Sequence, residues 1–203
     1  LELFDLEADV GESRDVAAEN PDVVERLTRL ADAMRADLGD SLTEGVGARA
    51  GQSYPAVLER LARRRVVNAG VRGEESDEGL RRLAGVLKRA GPDLVILGHG
   101  GNDILRRRDL ARTESNLRGM VELARRDGAA VVLLGVPGFG LFLGTHAMYE
   151  RIAESLEVPL EGEALADILG DPALKSDPIH PNAAGYRRLA EALHALLRDR
   201  GAL

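Results

Sequence analysis

Residues 93–103, DLVILGHGGND, decide how the chain folds. From Leu94 to Leu97 four apolar residues follow one another without alternation, so neither face of the pleat is left for water. A strand of that kind is covered on both sides, as strands of parallel sheets are. It then breaks into glycines, Asn102 and Asp103, which are turn-forming residue types. The strand is expected over Asp93 to Leu97, and two further runs read the same way, Arg65 to Ala69 and Ala129 to Val136. Around them lie amphipathic stretches that predict helices: Ser53 to Arg64, Ser76 to Ala90, Asp109 to Asp127, Thr145 to Leu156 and Asn182 to Arg200. In the last, Leu189, Leu193, Leu196 and Leu197 recur at helical spacing. Strand alternating with helix predicts an α/β chain, a doubly wound parallel sheet in a three-layer α/β/α sandwich. Its ligands belong outside the carboxyl ends of the strands.

Composition narrows the function classes. The 203 residues contain no Cys, which excludes thiolate catalysis, Cys-bound zinc and redox relays. The longest apolar run, Ala129 to Pro137, is too short to span a bilayer. The acidic start lacks the basic-then-apolar pattern of a signal peptide, so the chain reads as soluble, cytoplasmic or periplasmic. Net charge is −7, but 12 acidic and 4 basic residues fall within the first 40, leaving the remainder nearly neutral. Arginines such as Arg63 to Arg65 and Arg106 to Arg108 are dispersed over helical faces, and only six aromatics are present. A nucleic-acid partner is therefore not expected. Oligomeric state is left open.

The first forty residues have a different character. Leu1 to Leu6 reads as a short strand and Ala8 to Asn20 as polar loop. Pro21 opens a helix in which Val23, Val24, Leu27, Leu30, Ala31 and Met34 make one apolar stripe, running to about Leu38. Residues 1–38 are accordingly expected to be an acidic appended segment, with the main domain at 39–203.

Four polar clusters mark where chemistry can sit: Gly39-Asp40-Ser41-Leu42, Asn68 to Gly73, Gly100 to Asp103, and Asp177-Pro178-Ile179-His180-Pro181. The second and third follow predicted strands and the fourth precedes the last helix, which puts all of them at one edge of the sheet. Their residue types suit acyl transfer. A serine hydroxyl needs a base, and a neutral imidazole serves. His180 in turn needs a carboxylate to fix its tautomer, and Asp177, three residues earlier in a proline-stiffened loop, is placed to supply it. An oxyanion needs donors. The backbone N–H of Ser41, that of Gly73, where a missing Cβ permits close approach, and the Asn102 amide can provide them. Singly, each cluster also reads as a turn or a helix cap. No phosphate loop, dinucleotide fingerprint, Gly-x-Ser-x-Gly elbow or His-Glu-x-x-His zinc motif is present.

Taken in order, LGDSLTEG (38–45), VVNAGVRGEES (66–76), ILGHGGNDIL (96–105) and SDPIHPNAAGY (176–186) resemble the SGNH or GDSL hydrolase family. The likeness is to its bacterial arylesterase, acyl-thioesterase and lysophospholipase branch, and it covers some four fifths of the chain. The resemblance implies a flavodoxin-like sandwich and a serine hydrolase acting on small-molecule carboxylic esters or thioesters without cofactor or metal. It implies Ser41 as nucleophile, Asp177 and His180 as the rest of the triad, and Ser41, Gly73 and Asn102 as the oxyanion hole. Asp40 and Asp103 would support those loops. Residues 1–40 resemble instead the C-terminal tail of sulfatases, a part without catalytic residues.

One departure follows from this. In the family a buried apolar strand runs into the Gly-Asp-Ser turn, whereas here Arg29 to Asp37 is charged and reads as helix. Either the sheet draws Ala36 to Leu38 into a strand, or Leu1 to Leu6 fills the place. Failing both, the chain would be a catalytically inactive binding module. Residues 1–38 also read as a docking helix for a partner. His99 reads as a loop residue without chemistry, and His146 and His194 as surface positions on helices. The glycine-punctuated Gly138 to Gly144 reads as a flexible wall of an acyl or aryl pocket.

Overall fold

The computed structural model describes residues 35–138 and 144–203, within a compact unit running from Met34 to Leu203. Its strands are β1 (Arg35–Gly39), β2 (Val66–Gly70), β3 (Leu94–Gly98), β4 (Ala130–Leu134), the short β5 (Pro137–Gly138) and β6 (Gly144–Thr145), and β7 (Leu160–Glu161). Five of them form one parallel sheet in the order β2-β1-β3-β4-β7, while β5 and β6 pair antiparallel. The helices are α1 (Ser41–Glu44), α2 (Tyr54–Ala62), α3 (Ser76–Ala90), α4 (Gly101–Leu105), α5 (Leu110–Arg126), α6 (Ala147–Leu156), α7 (Ala164–Gly170) and α8 (Ala183–Asp199). The chain moves one way from β1 to β2 and then returns past β1 to β3. Right-handed crossovers therefore put α2 and α3 on opposite faces. Helix α2 packs with α8 on one side and α3 with α5 on the other, which makes the three layers.

The run that decided the fold class is the buried centre: every residue of β3 is buried. The three sequence-predicted strands are present, β2 and β3 displaced by one residue and β4 ending at Leu134. The five long predicted helices are present, one with the expected bounds and the others with ends trimmed by at most two residues. Helix α3 is capped reciprocally: Glu78 accepts from the Glu75 N–H at 3.0 Å and the Glu75 side chain in turn takes an N3 backbone N–H.

The helix expected to run to about Leu38 is corrected at its end, because Arg35–Gly39 is strand. Both neighbours enforce this. Position 37 faces Asn68 of β2 and Ile96 of β3, so the segment has a backbone ladder on each side, and Ala36 and Leu38 are fully buried. Tertiary pairing outweighs a helical preference that amounts to only tenths of a kcal/mol per residue, roughly 0.7 at most. The place before the serine is thus filled by 35–39. Leu1 to Leu6 and the earlier part of the expected helix lie outside the described residues.

Candidate active site

Three strands deliver their ends to one place. Gly39, Gly70 and Gly98 stand in register across β1, β2 and β3. A Cβ on Gly39 would overlap Thr43 and the Gly98 carbonyl, and one on Gly70 would overlap the backbone of α1. Glycine in that row lets α1 sit directly on the sheet edge. Asp40 caps α1, its Oδ1 accepting from the Leu42 N–H at 3.0 Å, and Ser41 follows at the sharp strand-to-helix turn. Three buried tyrosines fix the surrounding loops. Tyr54 Oη lies 3.0 Å from Thr43 Oγ1, Tyr186 donates to the Val46 carbonyl at 2.7 Å, and Tyr149 donates to the His99 carbonyl at 2.6 Å.

Ser41, His180 and Asp177, 139 residues apart at their extremes, are brought into one chain of hydrogen bonds. Ser41 Oγ is 3.0 Å from His180 Nε2, and His180 Nδ1 is 2.8 Å from Asp177 Oδ2. Asp177 also closes its own turn, Oδ1 accepting from the N–H groups of Ile179 and His180, both at 2.9 Å. Partial burial pushes the Asp177 carboxyl up, but the Ile179 N–H and the His180 ring outweigh it, leaving the group below the ordinary aspartate range. Asn182 caps α8 through Ala184 and Gly185 and donates to the Ala173 carbonyl at 2.8 Å, so the loop is pinned just beyond the imidazole.

The predicted oxyanion donors lie on α1, in the loop that follows β2 and on α4. Among the described residues, neither the Ser41 N–H nor the Gly73 N–H has an acceptor. Gly73 has φ +76°, and a Cβ there would meet only Arg106, at 3.5 Å. Its left-handed backbone is a conformation that glycine adopts without strain. Asn102 Nδ2 donates to Asp40 Oδ2 at 3.1 Å and to the Glu74 carbonyl at 3.0 Å. Asp103 is buried and accepts from the Ser76 N–H at 2.9 Å, Ser76 Oγ at 2.7 Å and Thr113 Oγ1 at 3.1 Å, which ties the start of α4 to α3 and α5. Asp40 is buried as well. Burial pushes its carboxyl up, offset in part by His99, the Leu42 N–H and His180.

Sequence reasoning missed a second set of groups. His99, read as a loop residue without chemistry, is fully buried against Glu74, with Nε2 3.0 Å from Glu74 Oε2, and Glu74 also holds Arg82. The only local signal was polar residues flanking the glycine clusters. His146 is the N-cap of α6, its Nδ1 accepting from Met148 at 3.3 Å, and His194 is half-buried on α8. Most of the Gly138 to Gly144 wall lies outside the described residues.

The chain is similar to proteins already known. Residues 38–188 match the GDSL-like lipase/acylhydrolase family model. An esterase, TesA, of Pseudomonas aeruginosa is 34% identical over 174 residues, covering 79% of this chain and 86% of its own length. The thioesterase 1/protease 1/lysophospholipase L1 of Escherichia coli is 32% identical, with 71% of this chain and 74% of that protein covered. A crystal structure of TesA superposes with a TM-score of 0.73 at 32% identity, over 82% of this chain and 98% of that one. The chain belongs to the GDSL-like lipase/acylhydrolase family and is a serine ester hydrolase of α/β fold.

Proposed function

We propose that Ser41 is the nucleophile of a two-step acyl transfer from small-molecule carboxylic esters or thioesters, with aryl or short to medium acyl groups. Ser41 Oγ bonds to the carbonyl carbon while its proton passes to His180 Nε2. Asp177 holds the other ring nitrogen and stabilises the imidazolium. The N–H groups of Ser41 and Gly73 take the oxyanion, joined by Asn102 as its amide shares its bond to Asp40. The carbonyl–leaving-group bond then breaks, the leaving group departs with the proton from His180, and water repeats the sequence to free the acid. Asp40 and Asp103 support the serine and asparagine turns. In this reading the domain at 39–203 takes its first strand from the end of the appended segment 1–38.

The observation that carries the reading is the unbroken Ser41–His180–Asp177 hydrogen-bond chain, and it is supported by the N–H groups of Ser41 and Gly73, which have no acceptors among the described residues. Exposed Val71 and Leu105, on the segments that carry Gly73 and Asn102, support an apolar acyl or aryl group. The names of the relatives, an esterase and a thioesterase, support the same bond types. No helix among the described residues is long and apolar enough to cross a membrane. The inactive-module alternative drew on a missing strand before Ser41, and 35–39 is strand. A chain-length series of p-nitrophenyl esters tests the proposal. Turnover is expected to peak at short to medium chains and to fall at least about 10³-fold in Ser41→Ala, as for other members of serine triads. Equal rates in the two proteins would end it.

A further inference from the structure

Behind the proposed oxyanion hole lies a buried charged array that the acyl-transfer steps do not use. The Glu74 carboxylate is 6% exposed and receives Arg82 in a two-pronged grip, Nε on Oε1 at 2.5 Å and Nη2 on Oε2 at 2.6 Å. The same Nη2 donates to the Ala69 carbonyl at 2.6 Å and, more weakly at 3.4 Å, to that of Gly39. Arg82 thus touches the ends of β2 and β1. His99, at the end of β3 and 0% exposed, completes the set through Glu74 Oε2.

The imidazole has a defined orientation. Its Nδ1 accepts from the Gly100 N–H at 3.3 Å, so the neutral ring carries its proton on Nε2 and donates it to Glu74. Gly79 of α3 makes the space, since a Cβ there would overlap the ring. One carboxylate therefore joins the three strand ends that precede Ser41, Gly73 and Asn102. Its own residue is bonded covalently to Gly73, and its own carbonyl accepts the Asn102 amide at 3.0 Å. Any shift of Glu74 moves both of these oxyanion donors together.

We infer that Glu74 and His99 are positioning residues that set the spacing between the Gly73 N–H and the Asn102 amide, the inference resting on the oxyanion roles proposed above. Displacement of such donors by about 1 Å can cost 10²-fold in rate. Gln at position 74 keeps the volume but offers one acceptor where three donor contacts converge, so the pin is lost. Gln at position 99 is different: its amide can donate to Glu74 and accept from Gly100, as the imidazole does, whereas Leu can do neither.

The test compares p-nitrophenyl butyrate with its thiono analogue, in which sulfur replaces the carbonyl oxygen. Sulfur is a longer and weaker acceptor, so it gains less from a well-set hole. Glu74→Gln and His99→Leu are expected to lower the ester kcat about 10²-fold with KM within about threefold. The thionoester rate should fall much less, shrinking the ester-to-thionoester ratio at least about tenfold. His99→Gln should recover most of the loss. The ratio does not depend on how much protein folds. Equal losses on both substrates, or none, would overturn the inference. Ser41→Ala separates the two levels: activity surviving it would defeat the proposed nucleophile, whereas its loss with an unchanged ratio in Glu74→Gln defeats the positioning role alone.

Discussion

The two sides of the site are held by different means. On the sheet side the polar groups are buried, Asp40 at 2% exposure, Asp103 at 4% and Glu74 at 6%, and each accepts hydrogen bonds from more than one segment. On the loop side the Asp177 side chain is 43% exposed and the His180 side chain 14%, and the aspartate is held by N–H groups of its own turn. Water can replace part of what a half-exposed carboxylate supplies, but it has no route to replace a buried one. The sheet side should therefore tolerate substitution less well, although the proposed mechanism draws on both sides.

That difference has measurable consequences. Asn102→Ala removes a proposed oxyanion donor together with the link from Asp40 to the Glu74 carbonyl, and kcat on p-nitrophenyl butyrate should drop about 10²–10³-fold. Asp177→Asn should cost less, about 10–10²-fold, below the roughly 10⁴ seen where the triad carboxylate is buried. If the order of the two losses were reversed, burial would not be what separates the two sides.

A further effect is on stability. Burial pushes the Glu74 carboxyl up, but His99 and Arg82 more than compensate, so its folded value lies below the ordinary glutamate range. A depressed carboxyl stabilises the fold above the unfolded-state value and loses that contribution as pH falls through the folded one. The gap in unfolding free energy between wild type and Glu74→Gln should be about 2 kcal/mol at neutral pH, typical of hydrogen bonds to charged groups. It should narrow toward acid pH in denaturant titrations. A gap that widened with acidification would contradict the ion pairing.

What could be read in advance follows from how local each signal is. Leu94 to Leu97 announces a buried strand in four residues, and Asp177 with His180 sit three apart, so their pairing needs nothing from the rest of the chain. Strand β1 was hidden because Arg35 and Asp37 interrupt its apolar pattern, and only the partners at 66–70 and 94–98 make it a strand. The Glu74–His99 contact joins residues 25 apart through the reversal of the chain between β2 and β3. No local pattern at either position encodes it, and for that reason the burial of this loop histidine was not foreseen.

The central claim is that Ser41 carries a hydroxyl activated by His180. Intact-protein and peptide mass analysis after treatment with a fluorophosphonate probe reads this directly. The wild type is expected to gain one phosphonyl group on the peptide containing Ser41, with none in Ser41→Ala and labelling slowed at least about 10³-fold in His180→Ala. Phosphonylation of another residue, or undiminished labelling without His180, would contradict it.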